Sequence, residues 1–159
     1  MARSLRFVIT AVLVAGLALS TAAAVSAKND KHQDHHKILQ TRLVGLAVPG
    51  TVIAGVKGAG HAWAIDEGQA KLFADGRLKV TVEGLVLTPE GTNPVTTGRA
   101  VVSCNGGATA ADIVMSTVVP LSVPDGNATV DQHLTLPSPC LAPVVFFTSA
   151  TGAWFAVSG

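Results

Sequence analysis

Residues Arg77 to Leu87 read RLKVTVEGLVL, and their hydrophobic period is two. Leu78, Val80 and Val82 fall on one side of an extended chain, while Lys79, Thr81 and Glu83 fall on the other. Successive side chains of a strand point to opposite faces, so this pattern predicts a β-strand with one dry and one wet face. A helix would need apolar residues three and four apart, and no stretch from Ile38 onward supplies them convincingly.

The same logic extends along the chain. AKLF at 70–73 meets Ala74-Asp75-Gly76, and Asp-Gly is a strong hairpin turn, so residues 69–87 are predicted as a hairpin. ILQTRLVGLAV at 38–48 stops at Pro49-Gly50. HAWAI at 61–65 precedes a predicted Asp66-Glu67-Gly68 turn, and GRAVVSC at 98–104 ends at Asn105-Gly106-Gly107. IVMSTVVPLSV at 113–123 contains Pro120, which confines it to a sheet edge or splits it at a bulge. ATVDQHLTL at 128–136 alternates cleanly, VVFFTS at 144–149 has the look of a buried strand, and AWFAVSG closes the chain. AADIV has room for one short helical turn. Eight or nine short strands with frequent turns predict an all-β domain. An immunoglobulin-like Greek-key β-sandwich is the first expectation and a small β-barrel the alternative.

The first 27 residues follow a different rule. Arg3 and Arg6 precede an uncharged run, FVITAVLVAGLAL at 7–19, and small residues lead to Val25-Ser26-Ala27. That order predicts a secretory signal peptide cleaved after Ala27. The apolar core is short against the roughly 20 residues of a membrane-spanning helix, so no span is expected once the signal is removed. The predicted organisation is a signal peptide at 1–27, a polar His-rich leader at 28–37 expected to be disordered, and a β-sandwich domain at 38–159.

Charge narrows the partners. Without Arg3 and Arg6 the chain keeps nine Lys+Arg against ten Asp+Glu. A near-neutral domain has no electrostatic footprint for nucleic acid or anionic lipid. The expected partner is an extracellular or cell-surface molecule of unknown kind.

Export makes the two cysteines, Cys104 and Cys140, a predicted disulfide. Cys104 follows one predicted strand and Cys140 precedes another, which places the link at one end of the sandwich. Cys140 lies in PSPCLAP, whose three prolines stiffen an extended connection.

Few residues suggest chemistry. NDKHQDHHK at 29–37 holds His32, His35 and His36, three of the five histidines. Imidazoles at such spacing bind zinc, copper or nickel, but a stable site needs fixed geometry. The leader is therefore read first as a solvated tether and second as a weak divalent metal trap. His61 and His133 stand alone in strand-like segments. A hydrolase would pair one of them with Asp66 or Glu67, while Ser103, Ser116 and Ser138 lie outside any G-x-S-x-G elbow. Trp63 and Trp154 are assigned to the core, because a chain with so few rings needs them for buried area. The function expected is that of a secreted, non-enzymatic structural or binding module without a cofactor.

RAVVSC, LPSPCLAPVVFFTS and GAWFAVSG together resemble a set of short exported bacterial proteins with an apolar strand ending in Cys, a PSPCLAP-like segment and a closing W-F-A-V strand. The resemblance covers roughly residue 70 to the end. It implies a secreted, disulfide-closed β domain, carries no assigned activity, and transfers no active site.

Overall fold

The computed structural model describes residues 36–159. The predicted signal peptide and most of the predicted leader, including His32 and His35, lie outside the described residues. Thirteen strands follow in order: β1 (Lys37–Gly45), β2 (Val52–Ile53), β3 (Val56–Lys57), β4 (Trp63–Ala64), β5 (Glu67–Phe73), β6 (Arg77–Glu83), β7 (Val86–Leu87), β8 (Thr97–Ser103), β9 (Ile113–Met115), β10 (Val119–Pro120), β11 (Ala128–His133), β12 (Val144–Ser149) and β13 (Trp154–Ser158). Among the described residues the helical content is two 3-10 turns, Asn105–Gly107 and Ala110–Asp112. None of their helices is long and apolar enough to cross a membrane.

Nine strands form one antiparallel sheet in the order β10-β8-β12-β13-β1-β5-β6-β11, with β9 also on β8. The sheet makes two layers because β1 serves both. Its first part, Lys37 to Arg42, pairs with β5, and its last part, Leu43 to Gly45, pairs with β13. The two end strands then approach each other. The Thr117 amide donates to Gln132 Oε1, Gln132 Nε2 donates to Thr117 Oγ1, and the Ser122 amide donates to the Asn127 carbonyl. Side chains and a turn thus stitch β10 to β11, giving antiparallel layers of the sandwich-or-barrel kind that the sequence predicts.

The alternation read from the sequence sets the layer of β1, β5, β6 and β11. Leu78, Val80, Val82 and Val130 are fully buried, while Lys79, Glu83, Thr129 and Asp131 face solvent. The other layer is buried almost continuously, from Ala100 to Cys104, Val145 to Thr148 and Trp154 to Val157. Such runs need cover on both faces. The β2–β3 ribbon and its approach help supply it: Ser103 Oγ donates to the Ala54 carbonyl at 2.6 Å, and Trp154 Nε1 donates to the Thr51 carbonyl at 3.1 Å. Both tryptophans are core residues. Trp63 stacks on Phe155 with ring centroids 4.2 Å apart, a contact that contributes about 1 kcal/mol beyond its buried area.

Three expectations shift in detail. The strand β1 begins at Lys37, one residue before the apolar pattern, because the His36 carbonyl already accepts the Ala74 amide at 2.8 Å. Asp66-Glu67-Gly68 is not a full turn: Glu67 and Gly68 belong to β5. Gly68 sits where a Cβ would meet Leu43 Cβ at 2.7 Å, so it is a strand glycine chosen for close packing. The hairpin ends at Glu83 rather than Leu87, because Gly84 turns the chain at φ +64° and Val86–Leu87 pair with β4 instead. The Ala74-Asp75-Gly76 turn is where the sequence places it. Asp75 Oδ1 accepts the Arg77 amide, and Gly76 takes φ +91°.

Candidate functional site at the disulfide end

The Cys104–Cys140 disulfide is formed, with Cα atoms 4.9 Å apart. It lies at one end of the layers, as expected. Cys104 directly follows β8, Cys140 precedes β12, and Val144 already faces Ser103 in the β8–β12 ladder. The link therefore closes the long excursion that carries β9, β10 and β11.

A polar cluster seals the same place. Asn105, at φ +55°, receives the Leu141 amide on Oδ1 and donates its own amide to the Leu141 carbonyl. Its Nδ2 reaches Asp112 Oδ1 at 2.8 Å and the Pro139 carbonyl at 3.0 Å. Asp112 Oδ2 accepts from both the amide and the hydroxyl of Thr109, completing a capping box over Ala110–Asp112. The hydrogen bond from Asn105, then those from Thr109, hold the Asp112 carboxyl below its ordinary value of 3.8, against an opposing effect of burial. This cluster is architectural: it ties the loop after Cys104 to the loop around Cys140.

Sequence reasoning did not single out the cluster, although Thr109-Ala110-Ala111-Asp112 carries the spacing of a capping box. It also missed Asn93, which is 1 % exposed. Asn93 Nδ2 donates to the Val95 and Ser122 carbonyls and its Oδ1 accepts the Val95 amide, joining two loops. The signal available was an Asn immediately before Pro94.

Beside the disulfide lies an open depression of about 440 Å³, bordered by Ile38, Asp75, His133, Leu136, Ser138 and Cys140. It is formed where β1 enters, the β5–β6 turn folds over and the chain leaves β11. With Thr135 also in its lining, it gathers a histidine, a carboxylate, two hydroxyl residues and one half of the disulfide on a rim of mixed polar and apolar character.

The predicted catalytic partners are distributed differently. His133 faces Arg77 at the start of β6, whereas Glu67 faces Glu83 at its end and the Asp66 amide donates to the Glu83 carbonyl. Six residues of strand separate the two positions, about 20 Å at the rise of a β-strand. His133 and the Asp66–Glu67 pair are therefore out of hydrogen-bonding reach. Among the described residues, two depressions lined by Asp66 hold no histidine. His61 is exposed ahead of β4. Ser103 and Ser116 are buried and spent on backbone: Ser103 donates to Ala54, and Ser116 Oγ accepts the Ala100 amide and donates to the Thr117 carbonyl. Of the predicted metal ligands, His36 is described, exposed and held by its backbone at the β5–β6 turn. Among the described residues, no group of three or more His, Cys, Asp or Glu is placed to hold a metal ion.

Comparison with protein-family models, with curated proteins and with solved structures finds no match to this chain.

Proposed function

We propose that this chain is an exported, non-enzymatic β module that serves a structural or binding role at or outside the cell surface. The observation that carries this reading is the Cys104–Cys140 disulfide, reinforced by the Asn105–Asp112 cluster. Such a link persists in an oxidising compartment and is rare where glutathione keeps thiols reduced. The charged, apolar and small-residue order of residues 1–27, read as a signal peptide, supports export. The use of Ser103, Ser116, Asn93 and Asp112 as internal fasteners supports a scaffold, since each satisfies backbone groups or another fastener rather than opening toward a substrate.

The test is direct. Purified residues 28–159 are assayed against a panel of ester, glycoside and peptide substrates, alongside a His133→Ala variant. The reading expects no turnover above the uncatalysed rate. Hydrolysis by the unaltered protein that disappears on substitution of His133 would replace it with a dispersed hydrolase.

A further inference from the structure

The chain has four asparagines, Asn29, Asn93, Asn105 and Asn127. Only Asn127 is followed two positions later by a hydroxyl residue, in Asn127-Ala128-Thr129. That order is the acceptor pattern for an oligosaccharide on an asparagine nitrogen of an exported protein. So short a pattern also arises by chance, and the surroundings discriminate. Asn93 and Asn105 use both the oxygen and the nitrogen of their side chains inside the fold. Asn127 is exposed just before β11 and is held by its backbone: its amide donates to Ser122 Oγ at 2.8 Å, and its carbonyl accepts the Ser122 amide at 3.0 Å. Its Oδ1 accepts the Gly84 amide at 2.9 Å. A backbone N–H can only meet the oxygen of the side-chain amide, so the fold uses that end. Among the described residues Nδ2 has no acceptor. A sugar on Nδ2 replaces one hydrogen and leaves Oδ1 an amide oxygen, so the bond to Gly84 survives.

We propose that Asn127 is the acceptor for an N-linked oligosaccharide. In the transfer, Nδ2 attacks the anomeric carbon of a polyprenyl-diphosphate oligosaccharide. The bond from nitrogen to that carbon forms and the bond from the carbon to the diphosphate oxygen breaks. The lipid diphosphate leaves with that electron pair, and one Nδ2 proton passes to a base of the transferase. There is room for the product. Asn127 borders two open depressions, one of about 300 Å³ with Thr81 and Thr129, the other of about 610 Å³ with Asp66 and Asp125. Their hydroxyls and carboxylates offer hydrogen-bond partners to the first sugars. In the finished sheet Ala128 and Thr129 are paired with Val82 and Thr81. A transferase that reads the Thr129 hydroxyl therefore meets this segment before β11 joins β6, and the fold then forms around an asparagine whose nitrogen it does not need. The proposal rests on the export reading, because the transferase acts on chains that leave the cytosol.

The experiment expresses the whole chain in bacteria that carry an oligosaccharyltransferase and its lipid-linked donor, once with its own leading residues and once with a substitute export signal. Asp125, two residues before Asn127, supplies the acidic residue that the stricter transferases also read. An acceptor peptide of established competence follows Gly159 and reports which chains met the enzyme. In chains whose added peptide is modified, peptide mass analysis is expected to find a second glycan on Asn127. Thr129→Ala should abolish that glycan, and Thr129→Ser should keep it. The sugar-bearing protein should keep a melting temperature within about 3 °C of the bare form, a smaller shift than losing one hydrogen bond would cause. Modification of the added peptide only behind the substitute signal would refute export by the chain's own leader, and Asn127 in those same chains still decides the proposal. An unmodified Asn127 beside a modified added peptide, a glycan retained in Thr129→Ala, or a sugar-bearing chain that fails to fold would each overturn it.

Discussion

Opening the Cys104–Cys140 link should cost this domain a large part of its stability. The two residues are 36 apart in sequence, and on the chain-entropy description closing such a loop removes about 13 cal/mol/K from the unfolded state, or about 3.8 kcal/mol at 25 °C. Marginal domains hold about 5–15 kcal/mol in all, so the loss is substantial without being fatal by itself. For a chain of this size it corresponds to a fall in melting temperature of roughly 10–20 °C. The native contacts at the link survive reduction in this reckoning: β8 and β12 remain paired, and Asn105 still binds Leu141, Pro139 and Asp112. The effect therefore lies mainly in the unfolded chain. Guanidinium unfolding of the oxidised protein, the phosphine-reduced protein and a Cys104→Ala/Cys140→Ala variant measures it, with thiol titration confirming each state. A loss below about 1 kcal/mol in both reduced forms would refute the reasoning and assign the closure of this end to the Asn105–Asp112 hydrogen bonds.

Two further perturbations probe the same region. Gly107 has φ +66° and a Cβ there would lie 2.0 Å from the Ala54 carbonyl, whereas Gly106, at φ +74°, has open space around it. Gly107→Ala should therefore cost about 2–4 kcal/mol and Gly106→Ala about 1–2 kcal/mol in chemical denaturation; equal costs would remove the backbone contact from the explanation. Asp112 has a folded-state pKa below its ordinary value of 3.8, so its contribution is fully present above that value and is lost as pH falls through the lower, folded value. Asp112→Asn replaces one acceptor oxygen with a donor facing Thr109 and should lower the melting temperature at pH 7. The difference from the parent should shrink when both are measured near pH 2, and a gap independent of pH would show that the charge is not what matters.

Much of this architecture was legible because it rests on local rules. Leu78, Val80 and Val82 alternate with polar residues and are buried together; Asp75-Gly76 turns the chain; Pro120 lies in a short edge strand. The cysteines sit where strand ends predicted them. What stayed hidden depends on distant neighbours. Gly68 reads as a turn residue until Leu43 is known to lie over it. The double role of β1 is invisible because no turn or breaker residue marks the point between Arg42 and Leu43 where its partner changes. The ribbons β2–β3 and β4–β7 are two residues wide, too short for any period to register. The candidate site shows the same division. His133 and Cys140 could be picked out one by one, but their meeting with Asp75 around one depression depends on the curl of the sheet and on the turn at Gly76.

The most direct measurement is intact-mass analysis of the protein recovered from outside cells that express the whole chain. A polypeptide beginning at Lys28 and lighter by two hydrogens than its reduced form is the expected result. Full-length chain retained inside the cell, or a recovered species whose two cysteines both react with a thiol reagent without prior reduction, would contradict the view of this protein as an exported and sulfur-clipped β module.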